Sequence, residues 1–325
     1  MNPEEQRPKI GVVCVYFGPL PSYFGLFAYT CGFNDWIDWH VFTDQPPTVG
    51  LPENVHFHRT TLGEIRDRAE LATGTPICLP RPYKLCDLKP AYGLIFESEL
   101  RSYDFWGHGD CDVIAGTFAN FLSKDDLSAF DKIYNFGHFS LYRNTEAMRH
   151  LFTRPLAGPD YRDVFRDPVY RRFDECEPMA TRLSAGNVPF CDKSVVADVD
   201  PTHHDIRIGG RDHSPHPQLL VWDSGRIYMY RSQNGTIACE EFAYAHLQKR
   251  RMDAPEFPLN GEIKAFAICP SRFLPLPGGI PPPDRWIEVN PRKPLNDFAK
   301  QAFRPLRRLQ RFRDENSVRK AAGYR

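Results

Sequence analysis

The chain has 325 residues, and its 41 Lys and Arg are matched by 41 Asp and Glu, so the formal net charge is zero. That balance argues against a nucleic-acid partner, which would want a basic surface, and against an acidic, disordered chain. With 42% apolar residues the chain can bury a sizeable core, enough for one large α/β domain or two small ones.

In chain order, residues 9–18 (KIGVVCVYFG) form an apolar, β-branched run of the kind buried on both faces of a parallel sheet. Residues 22–34 read as the following helix, with Ser22 as its N-cap. Two further strands are expected over 37–47 and 54–61, then a helix over 61–74 that ends at Gly74. This strand and helix alternation argues for α/β layers around a mainly parallel sheet. A helix is expected over 82–103, with Pro90 either breaking it or starting its main segment. A strand over 103–116 (YDFWGHGDCDVIAG), a helix over 117–130 and a strand over 131–144 follow.

The second half is less regular. Strand-like runs occupy 194–200, 219–232 and 263–276, and the second of these reads as a hairpin around Ser224-Gly225. Residues 239–252 (CEEFAYAHLQKRRM) have the look of a helix, and 275–284 that of a loop near the end of the folded domain. The domain is expected to span 1–290. Residues 291–325 are expected to form a basic, helical C-terminal extension, with an arginine cluster suited to an anionic membrane surface.

Nine cysteines are scattered with no C-x-x-C pair, so neither a zinc site nor a disulfide framework is indicated. Cys14, Cys239 and Cys269 lie in apolar runs, where a free thiol behaves as a small hydrophobe. That usage suits a reducing compartment. The first residues carry acidic charges before a short apolar run, unlike a signal peptide. No stretch approaches the roughly 18 apolar residues of a membrane span. A cytoplasmic protein is expected, touching the inner face of the membrane only peripherally.

The stretch with chemistry in it is Asp110-Cys111-Asp112. Strand periodicity is two, so an extended Cys111 would point both carboxylates the same way. At the carboxyl end of a strand they would face the crevice where open α/β sheets bind ligands. Mg2+ or Mn2+ suits such oxygen ligands. The neighbouring Gly107, Gly109 and Gly116 would leave room for a ligand to approach. A second Asp-x-Asp, at 198–200, leads into an irregular histidine-rich segment over 201–216 and is the weaker of the two.

Together, the opening strand, the HVFTD strand ending in Asp44, the element RPYKLCDLKPAYG and the strand bearing Asp110 and Asp112 resemble nucleotide-sugar-dependent glycosyltransferases of the GT-A fold. More closely, RPYKLCDLKPAYG, YDFWGHGDCDVIAG, GHFSLYRN and FAYAHLQKRRM resemble an uncharacterised bacterial family of such enzymes from polysaccharide clusters, over roughly residues 9–275. The resemblance implies a GT-A-like, Rossmann-like mixed sheet flanked by helices. It also implies a metal-dependent transfer of sugar from a nucleotide-diphosphate-sugar to a glycan or lipid-linked acceptor.

Residue by residue, the resemblance places Mn2+ or Mg2+ on Asp110 and Asp112, with His246 as a candidate third ligand. It places the nucleotide near Tyr16, Phe17 and Asp44, with contacts from Lys84, Asp87 and Lys89. Here that last element reads Cys86-Asp87-Leu88-Lys89, where related enzymes have serine and arginine, so Asp87 carries over best. Lys249 and Arg250 could pair with the diphosphate. An inverting transfer needs a carboxylate to deprotonate the acceptor, for which Asp174 and Glu175 are both candidates. His138 could contact sugar or acceptor, and Arg143 and Asn144 follow it on the same element. Two rivals remain: a sugar nucleotidyltransferase, and a non-enzymatic nucleotide- or glycan-binding protein with a degenerate site.

Overall fold

The computed structural model describes residues 7–47, 50–155, 158–174, 176–209, 216–248 and 250–291. Glu175, Lys249 and the C-terminal extension from residue 292 onward lie outside the described residues.

The first strands are β1 (Ile10–Tyr16), β2 (Ile37–Thr43), β3 (Val55–Arg59), β4 (Phe105–Gly109), β5 (Val113–Ala115), β6 (Lys132–Phe136), β7 (Phe139–Arg143), β8 (Phe190–Cys191) and β9 (Val196–Asp198). Seven of them form one sheet in the order β3-β2-β1-β4-β7-β6-β8. Only β7 runs against the others, so the sheet is mixed and mainly parallel, as expected. Strand β1 is buried on both faces. Val12 and Cys14 join Phe27 and Trp39 on one side, while Val13 joins Leu85, Leu88 and Tyr92 on the other.

Helix α1 (Phe24–Cys31) follows β1, but Ser22 does not cap it: the Ser22 hydroxyl donates to the carbonyl of Met252, and Tyr23 takes the cap position. Helix α2 (Leu62–Thr73) has a full capping box between Thr61 and Glu64, and Gly74 closes it at φ 61°.

Residues 82–103 do not form one helix. A 3-10 segment spans Pro82–Ala91, and short helical turns span Tyr92–Ile95 and Glu97–Leu100. Pro90 has no N–H to give to a regular α-helix. The expected helix over 117–130 also splits, into a 3-10 turn at Phe118–Asn120 and a helix at Lys124–Ala129. Ser123 and Asp126 form a capping box that starts the second piece afresh. The single strand expected over 131–144 is the β6–β7 pair, folded back at Gly137-His138.

The remaining strands are β10 (Gln218–Asp223), β11 (Arg226–Gln233), β12 (Thr236–Phe242), β13 (Tyr244–His246), β14 (Ala265–Ile268) and β15 (Phe273–Pro275). An antiparallel sheet has the order β12-β11-β10-β14-β15. Its β10–β11 turn is Ser224-Gly225, as expected, with both residues at positive φ (49° and 88°).

The expected helix over 239–252 is instead the end of β12 followed by β13. Phe242, Ala243, Tyr244, Ala245 and Leu247 are all buried, because β13 is the middle strand of a small sheet β5-β13-β9. A continuous apolar run of this kind fits a buried strand as well as a helix. Cys14 and Cys269 are buried as expected, whereas Cys239 is exposed on the edge strand β12. Among the described residues no helix is long and apolar enough to cross a membrane.

Candidate metal centre

The chain leaves β1 toward β2 and β3 on one side, and β4 lies against β1 on the other. The carboxyl ends of β1 and β4 therefore flank a topological switch point, where open α/β sheets bind ligands. A cavity of about 740 Å³ lies there. Its wall includes Tyr16, Phe17, Tyr23, Tyr83, Lys89, Asp110, Asp112, Gln248, Arg251 and Asp253.

Backbone pairing fixes the two aspartates. Asp110 N donates to the His138 carbonyl (3.0 Å), and Leu247 N donates to the Asp112 carbonyl (2.9 Å). In the small sheet His246 stands opposite Val113 on β5 and opposite Asp198 on β9. The register thus brings Asp112, His246 and Asp198 to one end of that sheet. Asp110, Asp112 and His246 each offer a ligand atom, all within 4.8 Å of one another.

The His246 Nδ1 lies 2.8 Å from Asp198 Oδ1, while its Nε2 lies 3.5 Å from Asp112 Oδ1. Burial alone would lower the His246 pKa, but Asp112 and Asp198 outweigh it and raise it to about 9. The 3.5 Å separation is too long for a good hydrogen bond. Asp112 Oδ1 is accordingly a buried carboxylate oxygen with no hydrogen-bond donor among the described residues. A cation would satisfy it. Two carboxylates and one imidazole fit a divalent ion such as Mn2+, and they fit Mg2+ less well because of the nitrogen ligand.

His138 stacks on His246 with ring centroids 3.9 Å apart, and its Nδ1 is 3.1 Å from the Tyr244 hydroxyl. Burial, reinforced by His246 and Lys89, holds its pKa well below the ordinary value, so it is neutral. With Asp198 and His246 it forms a second group whose ligand atoms lie within 4.8 Å.

Lys89 lines the cavity, but its ammonium is already engaged. It bonds Asp110 Oδ1 (2.7 Å) and the Gly137 carbonyl (2.8 Å), and Asp174 Oδ2 is 3.6 Å away. Asp174 is buried, does not line the cavity, and accepts from the Tyr170 hydroxyl (3.0 Å). Burial raises its carboxyl to about 7 despite the pull of Lys89.

Lys84 and Asp87 do not line the cavity either. Lys84 bonds Asp87 (2.6 Å) and the carbonyls of Val164 and Val169, and Asp87 also accepts from the backbone N–H groups of Arg171 and Phe173. These two side chains anchor the segment around 164–173 beneath the site. Asp44 is exposed at the end of β2 and accepts from Gly18 N (3.1 Å), which fixes the loop after β1. Arg143 and Asn144 are engaged in backbone contacts of the β4–β7 side, with Arg143 also paired to Asp131. Arg250 donates to the carbonyls of Asp200, His203, His204 and Pro270.

The glycines beside the aspartates do not open the site. A Cβ on Gly107 would lie 2.6 Å from the Ser140 carbonyl oxygen, and one on Gly116 would lie 2.9 Å from that of Ala243. They admit neighbouring backbone, not ligand.

Sequence reasoning set Asp198 aside, although its Asp-x-Asp pattern was visible. It also passed over Tyr23, which the turn into α1 places on the wall, and Gln248, Arg251 and Asp253, which only the return of the chain after β13 brings to the cavity.

A model described as a family of unknown function (DUF6625) matches residues 12–277, and the chain belongs to that family. No curated protein matches it.

Proposed function

We propose that this chain is a metal-dependent glycosyltransferase with a GT-A-like fold, moving a sugar from a nucleotide-diphosphate-sugar to a glycan or lipid-linked acceptor. The observation that carries this reading is the convergence of Asp110, Asp112 and His246 on one cavity at the carboxyl ends of β1 and β4. The mixed sheet with its single reversed strand accords with the fold that the sequence resemblance implies.

In this reading Asp110, Asp112 and His246 hold Mn2+ or Mg2+. When bound, the cation offsets charge on the departing diphosphate. The rings of Tyr16, Phe17, Tyr23 and Tyr83 give the nucleotide base apolar walls. Arg251 lines the same cavity with no ion-pair partner among the described residues, and its planar fork suits a phosphate. Lys89 holds Asp110 Oδ1 in place through its 2.7 Å bond. Asp253 is the third carboxylate on the wall, alongside Asp110 and Asp112. It is therefore better placed than Asp174 to take a proton from an acceptor hydroxyl.

The test is release of nucleoside diphosphate from UDP- and GDP-sugars with Mn2+ present, compared with Asp112→Asn. Mn2+-dependent release that disappears in the variant supports a transferase. Nucleotide binding without turnover on any donor and acceptor offered would favour a non-enzymatic binding protein.

A further inference from the structure

We infer that Asp198 is a positioning residue for the candidate metal centre, acting through His246; this rests on the metal reading above. The two ring nitrogens of His246 face opposite ways. Nδ1 meets Asp198 Oδ1 at 2.8 Å, and Nε2 faces Asp112 Oδ1 at 3.5 Å. A carboxylate only accepts, so His246 donates Nδ1–H to Asp198. With the Nδ1 proton held there, a cation arriving between Asp110 and Asp112 displaces only the Nε2 proton, and the Nε2 lone pair then faces that cation. A metal-ligating histidine almost always gives its other N–H to such an acceptor, which fixes ring orientation and raises ligand basicity.

Asp198 is itself held in place. Its backbone is in register with His246 in the parallel β9–β13 pair, and Val199 N donates to the His246 carbonyl (2.9 Å). Gln248 Nε2 donates to the same Oδ1 at 2.8 Å. Gln248 sits at φ 54°, a conformation unfavourable to a non-glycine residue, and lines the cavity. A strained residue spent on orienting a carboxylate that faces one histidine is a pattern of functional sites. Because Asp198 Oδ1 already serves His246 and Gln248, the carboxylate is assigned here as support for the ligand and not as a ligand.

The experiment is calorimetric titration of the full-length protein with Mn2+ alone. It compares wild type, Asp198→Asn, Asp198→Ala and Asp112→Asn, with thermal melts of each. Asp198→Ala is expected to weaken Mn2+ about 10- to 100-fold. Asp198→Asn keeps an acceptor oxygen for Nδ1–H without the charge, and should fall between Ala and wild type. Asp112→Asn should lose binding. If Ala does not fold, the near-isosteric Asn carries the comparison. Nitrogen NMR of Mg2+-loaded wild type should find the His246 proton on Nδ1, a readout that a merely structural role would not fix.

No Mn2+ binding by wild type would overturn the metal reading. Equal affinity in wild type and both Asp198 variants would overturn the positioning role alone. Binding kept in Asp112→Asn but abolished in Asp198→Ala would put the ion among His138, Asp198 and His246, and would also overturn it.

Discussion

The ammonium of Lys89 lies between two carboxylates, 2.7 Å from Asp110 Oδ1 and 3.6 Å from Asp174 Oδ2. Burial alone would drive its pKa down, but Asp110 and Asp174 overcome this and hold it well above the ordinary value. Its exposure is only 4%. Removing the lysine would leave Asp174 buried without its cation. Lys89→Ala is expected to cost about 3–5 kcal/mol of stability, as breaking a buried pair does. Urea unfolding checks this, and a loss under about 1 kcal/mol would show that the pair behaves like an exposed one.

The position of Asp174 behind Lys89 separates two candidate bases. If the transfer inverts, Asp253→Asn should slow sugar transfer by about 100-fold or more. Asp174→Asn, behind Lys89 and not itself on the cavity wall, should slow it less than about tenfold, near 1.4 kcal/mol. Rates under matched Mn2+ and donor conditions decide between them. The reverse order would return Asp174 to the reaction.

A cluster away from the cavity predicts a pH response. His40 Nδ1 is 3.0 Å from His58 Nε2, His40 Nε2 is 3.0 Å from the Tyr103 hydroxyl, and that hydroxyl donates to Asp38 (2.8 Å). Since Tyr103 gives its proton to Asp38, His40 donates Nε2–H to Tyr103, and while the ring is neutral its Nδ1 is left to accept from His58. Burial, then His56 and His58, lower its pKa from 6.5 to about 4, against a smaller opposite pull from Asp38 and Glu99. Between these values the unfolded chain binds a proton that the folded chain does not. The contribution is therefore full above pH 6.5, declines as pH falls, and is gone below about 4. Its size is up to about 3 kcal/mol. Unfolding free energies at pH 7.5 and 5 should fall more steeply in wild type than in His40→Gln. Equal slopes would contradict the assignment.

The metal site should also discriminate among ions. One imidazole beside two carboxylates suits Mn2+ better than Mg2+. Mn2+ is expected to bind the tighter of the two, and His246→Ala to narrow the gap. Competitive titration of both ions into both proteins checks this, and an unchanged ratio would exclude His246 as a ligand.

Much of the first half was legible because its signals are local. The apolar run of β1 and the Gly74 stop of α2 each need only a few neighbouring residues. The Asp110 and Asp112 pair was legible for the same reason. The second half was misread where tertiary pairing decides. Residues 242–247 are strand because β5 and β9 flank them, which no local periodicity shows. That error put His246 on a helix and hid its pairing with Asp198. The hairpin at Asn234-Gly235 was present in the sequence as a strong turn signal and was passed over. Lys84 and Asp87 were assigned to nucleotide by resemblance, yet their charges neutralise each other in the interior, a pairing at i,i+3 that only a folded segment reveals.

The measurement that tests the central claim most directly is calorimetric titration with UDP and GDP, with and without Mn2+, on wild type and on Asp110→Ala/Asp112→Ala. Tight binding of one nucleotide only in the presence of Mn2+, lost in the double variant with the fold intact, is the predicted result. Nucleotide binding that is indifferent to both Mn2+ and the two aspartates would contradict the metal-dependent account.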